Sequence, residues 1–424
     1  MITAGAFKGK RYGVFGLART GQSVLASLAA SGAQVWAWDD HQAAREGVGG
    51  LVDLNNADLC GLDALVVSPG VPLNRHPLAA RARAAKVSVI GDVELFAQAL
   101  DQLPRAAVVG ITGTNGKSTT AALLHHIVRA SGRPALLGGN IGAPILGEDP
   151  LPEGGVYVLE LSSFQIDLTF SLVCDVAILL NITPDHLDRY DGMAGYAASK
   201  ARLFAMQAGG VAVIAAEDDF TRAVADALER AGGRVIRVSR ADAGDPSDWP
   251  ALQGPANAQN AAAAIAAAQV LGIADEAIRA GLETYPGLPH RMEIVATKGG
   301  VRYVNDSKAT NPTSVAPALQ AYPSVHWIAG GQAKTDEMDA LLPHLGHVRA
   351  AYLIGEAGPL FERLLEGHIP THPSGTLAQA VEQAASAARP GDTVLLSPAC
   401  ASFDQFANYE ARGLAFRVAV ERVR

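Results

Sequence analysis

Residues 111–120, ITGTNGKSTT, have the residue types and spacing of a loop that binds the phosphates of a nucleotide. Gly113 and Gly116 allow backbone N–H groups to turn toward phosphate, and Lys117 can reach the outer phosphates. The Ser118 hydroxyl can hold Mg²⁺. An apolar run precedes the loop and a helix-like stretch follows it, so the order is strand, glycine loop, helix. We therefore predict that the chain binds and spends ATP; a glycine-rich turn with an exposed lysine is the alternative.

Two further polar segments follow apolar strands of the same region. Glu160 ends the run 156–159, and it could share one Mg²⁺ with Ser118 and the β and γ phosphates. Alternatively, Glu160 caps a helix or forms an ion pair. Residues 181–191, NITPDHLDRYD, contain His186, which is a candidate second metal ligand or substrate contact. A solvated acidic loop is the competing interpretation there.

Lys200 lies on the apolar side of a helix predicted to begin near residue 193. The stripe consists of Tyr196, Lys200, Leu203 and Phe204, at positions i, i+4, i+7 and i+8. A lysine in such a stripe usually extends along it to solvent. Alternatively, a desolvated lysine is more easily neutral, and a neutral amine can add CO₂ to become a carbamate. A carbamate would replace a cation with an anionic oxygen ligand for a metal ion.

Charged side chains also follow predicted strands in the last third of the chain. Arg291, directly after His290, offers a rigid fork for phosphate. Asp306 could accept hydrogen bonds from ribose hydroxyls, and Lys308 could contact phosphate or carboxylate. Lys334 follows two glycines, which suits an anionic substrate. As isolated charges these would be routine surface residues, but their placement after strands, where open α/β sheets bind ligands, indicates a site.

Strands alternate with helix-like stretches along the chain, which predicts the α/β class. Near the N-terminus, Gly16, Ala18 and Gly21 stand nearly where the glycines of a dinucleotide fingerprint would stand. We predict three tandem α/β domains with parallel sheets: a Rossmann-like N-terminal domain, a P-loop-type central domain and a Rossmann-like C-terminal domain. Their predicted bounds are residues 1–100, 101–287 and 288–424. Strands are expected at residues 12–17, 34–38, 65–67, 87–90, 106–109, 156–159, 176–180, 301–304, 325–328, 351–354 and 393–396, and helices at 22–30, 121–128, 261–271 and 377–388.

The composition excludes several classes of protein. At 424 residues the chain is too long for one hydrophobic core. A net charge of −8 argues against a nucleic-acid partner. Cys60, Cys174 and Cys400 are odd in number and far apart, which predicts a reducing compartment and no disulfide framework. Because no run approaches the ~20 apolar residues that span a bilayer and no signal-peptide pattern is present, we expect a cytoplasmic protein.

Six motifs together resemble those of the Mur ligases of bacterial cell-wall synthesis, and the last of them resembles the glutamate-adding branch. The motifs are TGTNGKST at 112–119, GGNIG at 138–142, LELSSFQ at 159–165, NITPDHLDRY at 181–190, NDSKATNP at 305–312 and SPACASFDQF at 397–406. The chain lacks the Asp-Asn-Pro-Arg segment seen in diamino-acid-adding relatives. The likeness covers all three predicted domains.

The resemblance implies a role for each matching residue. Around the uridine diphosphate and the muramoyl-alanine end it implies Leu17, Thr20, Asp39, Ser68, Gly70, Asn140, Ser162 and His186. Around ATP it implies Gly113, Thr114, Asn115, Gly116, Lys117, Ser118, Thr119, Asn260, His290, Arg291 and Asp306. For two Mg²⁺ ions it implies Ser118, Glu160, His186 and a carbamylated Lys200. For the incoming glutamate it implies Lys308, Thr310, Lys334, Ser402, Phe403 and Tyr409. Lys117, His186, Lys200 and Arg291 would be the catalytic residues.

The resemblance also implies the reaction and the role of each domain. The N-terminal domain would bind the uridine diphosphate substrate, the central domain ATP and the C-terminal domain the amino acid. A ligase of this kind joins D-glutamate to UDP-N-acetylmuramoyl-L-alanine through an acyl phosphate, in peptidoglycan synthesis and hence in cell shape and division. The sequence by itself leaves the stereochemistry of the glutamate open. We expect these small molecules to be the binding partners of the protein, and we expect the protein to be a monomer.

Three other functions fit parts of the sequence. A nicotinamide-dependent dehydrogenase would use the turn at residues 16–21 and Asp39, but it leaves residues 111–120 unexplained. A regulatory nucleotide-binding module would bind ATP without ligase activity. A folylpolyglutamate-synthase-like ligase would use similar chemistry, although that family's loop tends to read GKGS where this chain has Lys117, Ser118 and Thr119.

Overall fold

The computed structural model describes residues 1–185 and 187–423, so the predicted site residue His186 lies outside the described residues. The chain divides into two compact units. The first comprises Met1–Asp242 and Gln259–Leu282, and the second comprises Ala243–Ala258 and Glu283–Arg424.

The N-terminal part of the first unit is a parallel sheet with helices between its strands. Its elements are β1 (Arg11–Phe15), α1 (Arg19–Ala30), β2 (Gln34–Trp38), β3 (Ala64–Val67), α2 (Pro77–Ala84), β4 (Ser88–Ile90) and α3 (Asp92–Ala99). The strand order is β2-β1-β3-β4, with parallel pairing throughout. β3 reads ALVV and is buried along its whole length, as expected for a central strand of a sheet covered on both faces.

The rest of the first unit is built around a second parallel sheet. Its elements are β5 (Ala107–Thr112), α4 (Lys117–Ala130), β6 (Ala135–Gly139), β7 (Val156–Glu160), α5 (Ser163–Asp167), β8 (Val176–Leu179), α6 (Gly192–Ala205), β9 (Val211–Ala215), α7 (Asp219–Arg230), β10 (Arg234–Val238), α8 (Pro255–Val270) and α9 (Asp275–Thr284). Of the last two helices, this unit contains α8 from Gln259 onward and α9 as far as Leu282. The strand order is β10-β9-β8-β5-β7-β6. β5 therefore lies between β7 and β8, and the loops that follow these three strands share one edge of the sheet.

The second unit contains a mixed sheet. Its elements are β11 (Glu293–Lys298), β12 (Val301–Asn305), α10 (Pro312–Gln320), β13 (Val325–Gly330), β14 (Val348–Ile354), α11 (Gly358–Leu365), β15 (Thr371–Gly375), α12 (Leu377–Ala387), β16 (Thr393–Leu396) and α13 (Tyr409–Arg422). The strand order is β11-β12-β16-β13-β14-β15. All neighbours pair in parallel except β11 and β12.

The antiparallel β11 corrects the prediction that every sheet would be parallel. Lys298 pairs with Val301, so the connection between β11 and β12 is only Gly299 and Gly300. Both glycines have positive φ angles, 56° and 77°, as a two-residue hairpin turn requires. A connection of two residues cannot join parallel strands, which need a crossover.

The predicted α/β class with three tandem sheets is confirmed. Each sheet falls within one of the predicted segments 1–100, 101–287 and 288–424, while the boundaries themselves stay a prediction. In the first unit, one apolar cluster includes residues of both sheets, such as Val14 and Leu159. Within the described residues, no helix has both the length and the apolar character needed to cross a membrane.

Candidate active site

The glycine loop predicted to bind phosphate lies between β5 and α4. Gly113 and Gly116 have positive φ angles of 150° and 84°, which side chains rarely adopt. A Cβ atom on Gly116 would collide with Oδ1 of Asn260, a buried residue of α8. Because α4 begins at Lys117, the positive end of its dipole faces the loop. Ser118 and Thr119 belong to the first turn of this helix, so the loop has the backbone of an anion site.

Residues 181–183, which follow β8, hold the loop from one side. The Thr114 N–H donates to the Asn181 carbonyl at 2.8 Å, and the Asn115 N–H donates to Oδ1 of Asn181 at 2.8 Å. The Thr183 N–H donates to Oγ1 of Thr114 at 3.0 Å. The segment that contains His186 therefore begins as a structural support of the phosphate loop.

Two lysine side chains meet at one carbonyl group of the loop. Nζ of Lys117 donates to the carbonyl oxygens of Gly113 and Thr114 at 3.0 and 2.7 Å. Nζ of Lys200 donates to the Gly113 carbonyl at 2.8 Å. Burial, and then repulsion by the Lys117 ammonium, lower the pKa of Lys200 from 10.5 to about 7. Lys200 is therefore partly neutral near neutral pH.

The predicted stripe on α6 is confirmed, because Tyr196, Lys200, Leu203 and Phe204 are all buried. Lys200 is 1% exposed, and its Nζ lies 4.5 Å from the centre of the Tyr196 ring. The alternative in which this lysine extends to solvent is wrong. A buried amine that is partly neutral beside a phosphate loop has the chemistry that carbamate formation requires.

Glu160 ends β7, next to the loop, and it is 2% exposed. Oε1 accepts a hydrogen bond from Nδ2 of Asn140 at 2.9 Å. Oε2 is buried, and no described residue donates a hydrogen bond to it. Among the described residues, no cationic side chain forms an ion pair with Glu160. An unsatisfied buried carboxylate oxygen is costly, and an oxygen-seeking cation would remove that cost.

The carboxylate therefore fits Mg²⁺ as part of a shared ligand set. Among residues 1–185 and 187–423, no group of three or more His, Cys, Asp or Glu side chains could hold a metal ion. An ion bound at Glu160 would take its remaining ligands from phosphate, water and hydroxyl oxygens, as Mg²⁺ commonly does. Ser118 is buried in the first turn of α4 and is the predicted hydroxyl.

The N-terminal sheet of the first unit brings together most of the residues predicted for the uridine diphosphate. The Leu17 N–H donates to Oδ2 of Asp39 at 2.7 Å, and the His41 N–H donates to Oδ1 at 2.9 Å. Burial by itself would raise the pKa of Asp39, but these N–H groups outweigh it and lower the pKa. The hydroxyl of Ser68 donates to the Gly16 carbonyl at 3.1 Å, across the ends of β1 and β3.

The other residues predicted to contact the sugar nucleotide lie in helix starts and loops. Thr20 lies in the first turn of α1, and Gly70 lies in an exposed turn after β3. Asn140 and Ser162 follow β6 and β7, where Ser162 forms a capping box with Gln165. Ser162 thus has a structural role in starting α5 besides the predicted contact with substrate.

In the second unit, His290 and Asp306 are held by backbone and side-chain groups of the C-terminal sheet. Nδ2 of Asn305 lies 3.0 Å from Nδ1 of His290, and burial lowers the pKa of that imidazole. Asp306 accepts from the Met292 N–H at 3.1 Å and from the Ser397 hydroxyl at 2.7 Å. Burial raises the pKa of Asp306 to about 7. These bonds give Asp306 a structural role in addition to the predicted contact with nucleotide.

The residues predicted to receive glutamate cluster beyond the ends of β12, β13 and β16. Nζ of Lys308 lies 3.8 Å from the centre of the Tyr409 ring. Nζ of Lys334 donates to Oγ1 of Thr310 at 3.2 Å. Ser402 is buried, whereas Phe403 next to it is 68% exposed. Two ammonium groups and a hydroxyl at one sheet edge are suited to an anionic amino acid.

Comparisons with known proteins agree with this geometry. Residues 111–251 match the model described as Mur ligase middle domain, and residues 290–400 match Mur ligase, glutamate ligase domain. The chain is 60% identical to the UDP-N-acetylmuramoylalanine–D-glutamate ligase of Sphingopyxis alaskensis, over 99% of each chain. It is 59% identical to the ligase of the same name from Novosphingobium aromaticivorans, over 99% of this chain and 96% of the relative. The chain belongs to the Mur ligase family.

A solved structure of the family shows the same fold at low identity. The UDP-N-acetylmuramate-alanine ligase MurC from Thermotoga maritima is 17% identical, with a TM-score of 0.59, over 98% of this chain and 100% of MurC. This likeness concerns the fold alone. The relatives that are named D-glutamate ligases are therefore similar to this Mur ligase in sequence along the whole chain, whereas MurC is similar only in fold.

Two residues whose hydrogen bonds support the candidate site of this Mur ligase were not predicted from the sequence. Thr183 was not chosen as a support of the phosphate loop, although it lies within a noted motif. Arg412, which is 1% exposed, was not chosen at all. A signal was present, because Arg412, Phe416 and Val420 are spaced by four and form a buried stripe of α13.

Proposed function

We propose that this chain joins D-glutamate to UDP-N-acetylmuramoyl-L-alanine with the hydrolysis of ATP, in the synthesis of peptidoglycan. The observation that carries the proposal is 60% identity along the whole chain to a relative named for that reaction. The phosphate loop, with Lys117 at the start of α4, supports the ATP-dependent half of the reaction.

The chemistry requires activation of a carboxylate. A carboxylate is a poor electrophile, so the L-alanyl carboxylate first takes the γ-phosphoryl group of ATP and becomes an acyl phosphate. The amine of glutamate then attacks the carbonyl carbon, phosphate leaves, and a proton is lost from the nitrogen. Catalysis consists largely of positioning and of offsetting negative charge.

The residues of the first unit supply the ATP side of this reaction. Lys117 would neutralise the outer phosphates, while Asn181 and Thr183 keep the loop in shape through the bonds described above. Ser118 and Glu160 would hold Mg²⁺, which offsets phosphate charge when it is bound. A carbamate on Lys200 would hold a second Mg²⁺, and the low pKa of the buried amine supports this assignment.

The residues of the second unit supply the amino-acid side. Lys308, Thr310 and Lys334 would contact the carboxylates of glutamate, and Ser402 would add a hydroxyl or an N–H group. Arg291 and His290 are assigned to the nucleotide by family resemblance. We further propose that the enzyme acts in the cytoplasm, because its substrates are soluble small molecules, and that it acts as a monomer.

One activity assay and one binding titration test the proposal and its rivals. Purified enzyme with ATP, Mg²⁺ and UDP-N-acetylmuramoyl-L-alanine is incubated with a panel of D- and L-amino acids, and phosphate and peptide product are both measured. We expect phosphate release that depends on both the sugar nucleotide and D-glutamate. ATP hydrolysis without a new peptide bond would support a regulatory module instead, and NAD binding in a fluorescence titration would support a dehydrogenase.

A further inference from the structure

Arg412 is a buried arginine that ties together two loops of the second unit. It lies in the first turn of α13 and is 1% exposed. Its Nε donates to Oγ of Ser307 at 3.0 Å, and its Nη2 donates to the Ser307 carbonyl at 2.9 Å. The same Nη2 donates to the Cys400 carbonyl at 3.0 Å, and Nη1 donates to the Ala401 carbonyl at 3.2 Å. One guanidinium thus bonds the loop after β12 and the loop after β16.

These loops are the ones that carry residues assigned to glutamate. β12 and β16 pair only as far as Asn305 and Leu396, so the ladder itself does not fix the chain beyond that point. Lys308 directly follows the Ser307 that Arg412 contacts, and Ser402 directly follows Ala401. Beyond that point the Ala399 N–H donates to the Ala309 carbonyl at 3.0 Å and the Ser397 hydroxyl donates to Asp306 at 2.7 Å. Arg412 adds four bonds to these two connections.

A third loop is attached to the same group. Gln332 and Ala401 exchange both of their backbone hydrogen bonds at 2.9 Å, which joins the loop after β13 to the loop after β16. A Cβ atom on Gly331 would lie 3.1 Å from Nη1 of Arg412, so this glycine allows the close approach. Lys334 lies on this third loop. The guanidinium is thus at the junction of all three loops.

The positive charge of Arg412 is not neutralised by a bonded carboxylate. Within the described part of the chain, its hydrogen-bond partners are one hydroxyl and three carbonyl oxygens. Burial lowers the pKa of Arg412 to about 10, and Asp404 acts on it only through a longer-range interaction, so the group remains a cation at neutral pH. A buried cation of this kind favours anions nearby, because the low local dielectric weakens screening.

The bonds of Arg412 also orient a peptide group toward the site. In a trans peptide the C=O and N–H groups point in opposite directions. Since the Ala401 carbonyl points at the guanidinium, the N–H of Ser402 in the same peptide group points away from it. That N–H donates no hydrogen bond within the described residues, although Ser402 is 2% exposed. A donor in this state is suited to a carboxylate oxygen.

We propose that Arg412 is a positioning residue that fixes the glutamate-receiving loops and whose buried charge favours a second carboxylate on the incoming amino acid. The inference rests on the proposed function, because it takes glutamate as the amino acid. It makes two separable claims. The fork geometry sets the positions of the loops, and the charge discriminates between a dicarboxylate and its neutral amide.

Two substitutions separate these claims. Arg412→Lys keeps the charge but cannot make the forked set of bonds, and Arg412→Met removes both. For Arg412→Lys we expect the KM for D-glutamate to rise about tenfold or more, because bonds from a charged donor are strong. The KM for the sugar nucleotide should stay within about twofold, because none of its predicted contacts lies on these loops. The KM for ATP should rise less than that for glutamate, because Asp306 is the one predicted ATP residue next to the Ser307 that Arg412 contacts. The ratio of kcat/KM for D-glutamate over D-glutamine should persist in Arg412→Lys and fall in Arg412→Met.

Controls keep the test interpretable if a variant is poorly folded. Arg422→Lys makes the same change at an exposed position of the same helix, and it should leave every KM unchanged. Ser307→Ala removes the Nε contact, together with the bond from the Ser307 hydroxyl to the Tyr409 carbonyl, while leaving the buried charge in place. A smaller rise in the KM for glutamate is therefore expected even if Arg412→Met does not fold. Thermal melting of each variant measures its folding.

The outcomes also separate this inference from the proposed function. If wild-type enzyme makes the peptide bond and Arg412→Lys or Ser307→Ala changes all three KM values in parallel, or none, the positioning role is refuted. If the D-glutamate to D-glutamine ratio is the same in Arg412→Met as in wild type, the charge role is refuted. If wild-type enzyme makes no product with glutamate, the proposed function itself fails.

Discussion

Replacement of Lys200 by alanine tests the chemistry assigned to the buried lysine of α6 that contacts the phosphate loop. With a pKa of 10.5, about one lysine in 3,000 would be neutral at pH 7, whereas with a pKa of about 7 roughly half are neutral. Burial and the Lys117 ammonium thus raise the population of reactive amine by about a thousandfold. That increase is what makes carbamate formation at ambient CO₂ a realistic step for this side chain and not for an exposed lysine.

We expect Lys200→Ala to lower the rate of phosphate release about 100-fold or more, since it removes a group that offsets developing charge. Formate or acetate should restore part of the rate, because a small carboxylate can replace the anionic end of a carbamate. In wild-type enzyme, removal of dissolved CO₂ should lower the rate, and the dependence on CO₂ should weaken as pH rises through about 7, where more amine is neutral. ¹³C NMR with labelled bicarbonate reports the carbamate directly.

The matched control is Lys8→Ala, at an exposed lysine of the first unit, which should leave the rate and its CO₂ dependence unchanged. Thermal melting shows whether Lys200→Ala is folded. Full activity of Lys200→Ala would refute the reasoning. Loss of activity in a folded variant, with no recovery by carboxylates and no carbamate signal in wild type, would refute the carbamate and leave only a role for the ammonium.

Three further substitutions test other parts of the site. Lys117→Ala should abolish ATP turnover, because Lys117 is the one cationic side chain in the first turn of α4. An unchanged rate of ADP formation would mean that the loop is only structural. Gly116→Ala should destabilise the protein by about 1–3 kcal/mol and weaken nucleotide binding, because its φ of 84° disfavours a side chain and the new Cβ would collide with Asn260. Calorimetry and ATP titration measure these effects, and normal values for both would contradict the loop geometry. Burial raises the pKa of Asp306 in the folded protein to about 7, so between about pH 4 and pH 7 the folded state binds a proton that the unfolded state has lost. The free energy of unfolding of the wild-type protein should therefore fall as pH rises from about 4 to about 7. Asp306→Asn should flatten this dependence in denaturant titrations, and an unchanged slope would disprove the role of Asp306.

Most strands could be predicted from the sequence, and those that were missed have a common physical cause. β6, β10, β11 and β15 were not predicted, and each lies at the edge of its sheet. Edge strands are only partly buried, so their side chains lack the continuous apolar run that marks a central strand. β9 is different, because VAVIA is wholly buried and wholly apolar, and its pattern was available.

The site residues could be chosen one at a time from the sequence, but their contacts could not. Lys117 and Lys200 are far apart in the chain, and only the fold places both ammonium groups on the Gly113 carbonyl. The lowered pKa of Lys200 depends on that meeting. Arg412 was missed for a related reason, because its importance comes from three loops that converge on it and not from its neighbours in sequence.

The structure separates two buried carboxylates that looked equivalent in the sequence. Both Glu160 and Asp306 stand at the ends of apolar strands, and both were predicted to serve the nucleotide site. Each oxygen of Asp306 accepts a hydrogen bond from a protein donor, so the folded chain by itself satisfies that group. Oε2 of Glu160 has no donor within the described residues, and leaving such an atom buried costs about 1–3 kcal/mol.

The chain offsets that cost only if something else binds to Oε2. Glu160→Gln should therefore weaken the response to Mg²⁺ sharply, while its effect on the thermal stability of the unliganded protein should be small or stabilising, because an amide is less costly to bury than a charge. Melting curves with and without Mg²⁺ and a nucleotide measure both effects. A large loss of stability without ligand would mean that Oε2 has a structural partner, and the carboxylate would then mark no metal site.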